Sequence, residues 1–158
     1  MRKSIKNKGF MMVEVIIAVS IILVSILAAM SVTQKSIVVS RQSLHTSQAS
    51  FLLEEGAESV RILRDNSWTN IANLTNGTTY YPSFSSGTWI LSTNSSTVGI
   101  FTRTVNIQSV NRNISTGDIS VSGTNDPGTK LITVTVFWVE GGQTISKTLS
   151  FYITDIFS

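Results

Sequence analysis

Between Phe10 and Val32 the chain runs without Pro or Gly and carries one charged side chain, Glu14. About twenty apolar residues at roughly 1.5 Å rise each span the roughly 30 Å hydrocarbon core of a bilayer, so this stretch reads as a transmembrane helix. Arg2, Lys3, Lys6 and Lys8 precede it. By the positive-inside rule they hold the N-terminus in the cytoplasm and send the remainder outward. An ordinary secretory signal would also begin this way, with Ala28-Ala29-Met30-Ser31 as its cleavage region. Glu14 argues against both that signal and a plain anchor. A carboxylate at the centre of a spanning helix costs about 2.5–3.5 kcal/mol on insertion scales, less near an end. It therefore persists where it lies close enough to the interface to reach water or where a positive partner in a helix bundle compensates it.

Downstream, the composition fits one exported domain. The formal charge of +3 is concentrated at the start, since four of the twelve Lys/Arg lie in residues 1–9 and the remaining eight face nine Asp/Glu. A near-neutral body gives no global sign of nucleic-acid binding. Cysteine is absent, which removes disulfides, thiol nucleophiles and Cys metal sites. Without paired catalytic carboxylates, a phosphate loop or a nucleophile beside a base, no enzyme is expected. No cofactor is implied.

From residue 33 to about 66 helical spacing continues and becomes amphipathic: Ile37, Leu44, Phe51, Leu52, Ala57, Val60 and Leu63 alternate with polar residues. Only Gly56 weakens this stretch, by about 1 kcal/mol relative to Ala. One continuous helix from Phe10 to about Asn66 is therefore expected. His45 has no Cys or second His to join it at a metal or in catalysis, and it is assigned to a solvated helix face.

Residues 68–125 turn rich in Ser, Thr, Asn and Gly. Tyr80-Tyr81-Pro82, Thr88–Leu91 and Ile100–Ile107 read as short strands between turn clusters. Asn73, Asn76, Asn94 and Asn113 each begin an Asn-x-Ser/Thr sequon, a pattern that so Asn- and Ser-rich a segment also produces by chance. Asn125-Asp126-Pro127-Gly128 reads as a turn. The strongest β signal is Leu131–Val139, which puts Ile132, Val134, Val136 and Trp138 on one face. Glu140-Gly141-Gly142-Gln143 then reverses the chain, and Ile145, Leu149, Phe151 and Ile153 alternate along the return strand. The inward face of this hairpin is expected to cover the helix stripe from Phe51 to Leu63, with Arg103-Thr104-Val105 as the adjoining strand.

Lys8-Gly9-Phe10 followed by Glu14, after a Lys-rich leader and before an uninterrupted apolar helix, resembles the class III signal of type IV pilins and pseudopilins. Phe51–Arg61 with Arg64-Asp65-Asn66-Ser67-Trp68 is similar to the end of the long helix in pilin-like proteins. Lys130–Trp138 and its Gly turn resemble the C-terminal hairpin of minor pilins and of I- or V-type pseudopilins. Met11-Met12 departs from the usual Thr or Ser then Leu, and the helix-breaking Pro of many major pilins is missing.

The resemblance implies an α+β pilin fold, with one long N-terminal helix packed against a C-terminal antiparallel sheet. Residues 1–9 would be a leader, 10–32 the membrane and polymerisation helix, 33–67 an amphipathic helix, 68–125 a variable loop with short strands, and 126–158 the hairpin. Residues 33–158 would form one globular domain. It also implies cleavage between Gly9 and Phe10 by a prepilin peptidase, N-methylation of Phe10, and assembly through Glu14. The implied partners are other pilin subunits, the peptidase, the assembly platform and the inner membrane, with nucleic acid only in a competence pilus. The chain would sit in the cytoplasmic membrane, N-terminus in, and later in an extracellular filament. Some pseudopilins bind calcium in a late loop, where Asp118 and Asp126 would be the candidate ligands. Two carboxylates fall short of the six to eight oxygens calcium takes, so no metal is expected. Alongside a minor pilin stand two other readings: a pseudopilin of a type II secretion or DNA-uptake system, and a membrane-anchored β-rich binding protein that does not polymerise.

Overall fold

The structure, a computed structural model, describes residues 8–156. Arg2, Lys3 and Lys6, with the side chains of Lys8 and Phe10, lie outside the described residues. The protein is α+β. Helix α1 (Lys8–Asn66) is unbroken, as expected of a stretch without Pro. The chain divides into two compact units within this helix, between Leu44 and His45. The globular unit thus begins at His45, about three helical turns after the expected boundary at residue 33: Ile37 is 65% exposed and Leu44 56%, and neither joins the core.

After α1 come a single turn, α2 (Thr69–Ala72), and seven strands: β1 (Thr79–Ser85), β2 (Thr88–Ser92), β3 (Thr97–Val98), β4 (Phe101–Arg112), β5 (Ile119–Ser120), β6 (Thr124–Glu140) and β7 (Gln143–Thr154). They form one antiparallel sheet in the order β2-β1-β4-β6-β7, with β3 and β5 also pairing with β4. The stretch read as a loop with short strands therefore supplies five strands of the sheet. β4 is twelve residues long and lies between β1 and β6. The β6–β7 hairpin closes on Gly141 and Gly142, both at positive φ, the geometry a two-residue turn requires and only glycine adopts without strain.

The inward face of the sheet carries Phe101, Val105 and Ile107 from β4, and Ile132, Val134, Val136 and Trp138 from β6, all buried. Phe101 and Trp138 meet edge to face at 5.5 Å. On β7 only Ile153 is fully buried; Ile145 and Leu149 stay over a third exposed because β7 is the last strand. From α1 the core takes Ala49, Leu53, Ala57, Val60 and Leu63. Phe51, expected on this stripe, is 70% exposed. Two residues from both Ala49 and Leu53, it lies about 200° around the helix from each and so faces away. Gly56 marks the close approach of helix to sheet. A Cβ there would lie 2.8 Å from Val134 Cγ1 and 3.0 Å from Arg103 Cδ.

The helix end is reinforced by a side chain. The Leu63 carbonyl accepts from the Ser67 backbone N–H at 3.2 Å, and Asn70 Nδ2 adds a second hydrogen bond to it at 3.0 Å. Asn125–Gly128 does not reverse the chain, as a turn would. Ser109 pairs with Lys130 and the next residue, Val110, with Asp126, so the chain from Pro127 to Thr129 is extra length in β6, a bulge rather than a turn.

Candidate functional site

The apolar segment of α1 is exposed on all sides. Residues 11–40 are all exposed, among them Val13, Ile16, Ile17, Ile21, Leu23 and Leu27. Among the described residues α1 is the one helix long and apolar enough to cross a membrane, and it lies near the N-terminus. A helix apolar all round needs lipid or other helices around it, since its side chains bury nothing by themselves. Its hydroxyls are already compatible with such surroundings. Ser20, Ser25, Ser31 and Thr33 each donate to the carbonyl four residues back, at 2.7–3.0 Å, so none presents an unmet donor.

Glu14 differs. It sits one turn before Ala18 among Val13, Ile17 and Ile21, which line a shallow apolar depression on the helix. Among the described residues it has no ion-pair partner.

The other residues singled out from sequence fall in separate places. Asp126 Oδ2 accepts from Arg112 Nε at 2.6 Å, and its Oδ1 accepts from the Gly128 backbone at 2.9 Å. Hydrogen bonds from the Thr129 hydroxyl and from Arg112 hold its carboxyl below the ordinary value of 3.8. A guanidinium thus stands where a calcium ion would need to be. Asp118 belongs to the β4–β5 connection, where its backbone carbonyl accepts from Asn113 at 2.9 Å. No group of three or more acidic or imidazole side chains converges among the described residues.

Arg112 also donates to the Gly117 carbonyl at 2.9 Å and to Thr129 Oγ1 at 3.1 Å, so the Asp126 pair clamps the bulge. This gives a pH test. The carboxyl is depressed in the fold, so the contribution of its ionised form is complete above about pH 3.8 and is lost as pH falls through the lower folded value. Asp126→Asn is expected to lower stability at pH 7 by about 0.2–1 kcal/mol, the range for a partly solvated pair. In thermal melts the gap from the parent should close as pH drops below 3.8; a gap that persists unchanged at pH 2 would show that the charge contributes nothing.

His45 is not on a solvated face. It is half-buried, edge-on to Phe101 at 6.1 Å, with Nδ1 3.3 Å from Glu140 Oε1. Glu140 is itself buried and accepts from the Trp138 indole at 3.1 Å. The sequence hid this because Glu140 and His45 are far apart in the chain. Of the sequon residues, Asn76 donates to Ser109 Oγ on β4 at 2.7 Å, a long-range tie, and the Asn113 side-chain oxygen accepts from the Ser115 backbone at 2.8 Å within its own turn.

Arg103, expected only as part of the strand adjoining the hairpin and found there, proves central. It lies on the inward face of β4, 5% exposed, between Phe101 and Val105. Its guanidinium pairs with Glu55, donates to the Leu52 carbonyl of α1 at 3.3 Å and to the Pro82 carbonyl of β1 at 3.5 Å, and stacks 5.3 Å from the centre of Trp89 on β2. One side chain therefore ties the helix to three strands. A charge at an inward strand position would have been the only signal for it.

The outward face of the sheet has a different chemistry. In cross-strand register, Thr104 lies beside Thr135 and Thr135 beside Thr148; Asn106 lies beside Thr133 and Thr133 beside Ser150. The hydroxyls of Thr135 and Thr148, and of Thr133 and Ser150, are 3.2 Å apart. The flanking rows are Thr102, Phe137 and Ser146 on one side and Gln108, Leu131 and Tyr152 on the other. None of these four rows contains a charged residue. Set against protein-family models, curated proteins and solved structures, the chain matches none of them.

Proposed function

We propose that this protein is a structural subunit, a minor pilin, of a type IV pilus-like filament. What carries the reading is the first segment of α1, apolar and exposed on every side, whose hydroxyls are satisfied within the helix while the Glu14 carboxylate has no partner among the described residues. In water such a surface is untenable, and in lipid the lone carboxylate is costly. Packing helix against helix in a filament answers both problems. Cleavage between Gly9 and Phe10 would free an α-ammonium on Phe10, and that charge can meet Glu14 of a neighbouring subunit. At about 4 Å in a medium of intermediate dielectric the attraction is about 4 kcal/mol, which offsets the cost of about 2.5–3.5 kcal/mol for the carboxylate. The pair also sets the axial register of neighbouring subunits. Before assembly the chain waits in the cytoplasmic membrane with its basic leader inside, and the β-rich unit is the exported part. It has no catalytic role in this reading.

The test is the intact mass and N-terminal peptide of the chain recovered from membranes of its own host. The expected terminus is N-methylated Phe10. A retained Met1 leader would overturn the reading in favour of a plain anchor, and a terminus near Ser31 in favour of an ordinary secretory signal.

A further inference from the structure

The outward sheet face is unusual in what it lacks. An exposed protein surface is ordinarily about a quarter or more charged, yet four consecutive cross-strand rows over β4, β6 and β7 carry only hydroxyls, amides and a few apolar or aromatic groups. Thr is a good strand former and accounts for part of this. Asn and Gln are not favoured in strands. Asn106 is explained by its side chain, which donates to the Thr78 carbonyl at 3.3 Å. Gln108 is exposed and makes no side-chain hydrogen bond among the described residues.

At Gln108 the face ends in a groove of about 390 Å³, whose walls include Asn111, Ser120, Leu131 and Tyr152. Tyr152 is 51% exposed and lines the groove together with the Gln108 and Asn111 amides. The groove contains no Lys, Arg, Asp or Glu.

From this face and its groove we infer a binding site for a neutral oligosaccharide. The chemistry selects that class. Hydroxyl and amide groups both donate and accept, as a ligand dense in hydroxyls requires, and an exposed ring offers a platform for the apolar face of a sugar. Side chains recur about 6.8 Å apart along each strand and about 4.8 Å across, so the array continues beyond the groove and can meet successive sugar units. The alternatives fit poorly. Nucleic acid and anionic lipid need Lys or Arg, of which the face has none. A protein partner would suit the uncharged rows and their two aromatics, Phe137 and Tyr152, but interfaces are depleted in Ser and draw on Arg and Met. This face has two serines and neither Arg nor Met. The inference concerns the β-rich unit alone and does not depend on how the N-terminal helix assembles.

The experiment uses the full chain in phosphatidylcholine nanodiscs. Saturation-transfer NMR is recorded against neutral hexasaccharides of glucose, N-acetylglucosamine, mannose and galactose, with a polyanionic uronic-acid hexasaccharide for comparison. At least one neutral sugar is expected to receive saturation, with the acidic sugar at least tenfold weaker. Tyr152→Ala and Gln108→Ala are expected to weaken binding at least tenfold. Thr135→Lys, which places a charge in the middle of the array at a half-exposed position, provides a second variant, and each variant is checked for an unchanged thermal melt. No transfer to any neutral sugar overturns the site. So does binding that survives all three substitutions, or self-association of the parent chain that Thr135→Lys abolishes, since that would make the face a contact between copies.

Discussion

Glu14→Ala is expected to leave the chain cleaved, inserted and stable in the membrane while removing it from filaments. Insertion depends on the apolar length of the segment, and replacing a carboxylate with a methyl makes that segment easier to insert. Incorporation depends on the partner that the carboxylate finds. Without it, the Phe10 ammonium of the neighbour enters a helix bundle unpaired, and the attraction of about 4 kcal/mol is lost. By the relation of about 1.4 kcal/mol per tenfold, incorporation falls by a factor on the order of several hundred. Glu14→Gln separates charge from size: it keeps the volume and the hydrogen-bonding capacity, and is expected to fail nearly as badly. The measurement compares the chain in sheared filaments with that in membranes. Normal incorporation of either variant would sink the pairing mechanism, even if the N-terminus proved to be methylated Phe10.

The second large effect is expected at Gly56. Helix propensity alone predicts that Gly56→Ala stabilises α1 by about 1 kcal/mol. Packing predicts the reverse. The added methyl would lie 2.8 Å from Val134 Cγ1 and 3.0 Å from Arg103 Cδ. Val134 is fully buried and stiff at χ1, and the Arg103 guanidinium is held by Glu55, Leu52 and Pro82, so neither neighbour moves freely. Overpacking of this kind costs about 1–3 kcal/mol. The net expectation is a loss of up to about 2 kcal/mol, read as a melting temperature lower by several degrees. A double-mutant cycle supplies the mechanism: in Val134→Ala the space is vacated, and Gly56→Ala should then be neutral or stabilising. If Gly56→Ala raises the melting temperature of the parent chain, the close approach of helix and sheet is not what glycine serves here.

Residues that depend on near neighbours were legible in the sequence. The continuity of α1 followed from the absence of Pro, and the β6–β7 hairpin from alternation around Gly141-Gly142. Ile132, Val134, Val136 and Trp138 fell on the buried face as their period of two required. The exposed apolar run and its single carboxylate were equally plain, because length and composition alone set them.

What the sequence by itself determined were these periodic features, since a helix turn or a strand pleat repeats within a few residues and leaves its mark there. Only the tertiary structure decided which side of the amphipathic helix is buried, displacing Phe51 in favour of Ala49 and Leu53. It also decided that β1 and β2 extend the sheet beyond β4, that Asp126 closes a bulge on Arg112, that His45 meets Glu140, and that Arg103 joins Glu55 across the core. Each of these is a meeting of residues brought together by folding, and a contact between distant residues imposes no spacing on either partner's neighbours. Gly56 shows the difference in one residue. Local propensity makes it a weak point of a helix, and the sheet packed against it makes it the position where a side chain would not fit.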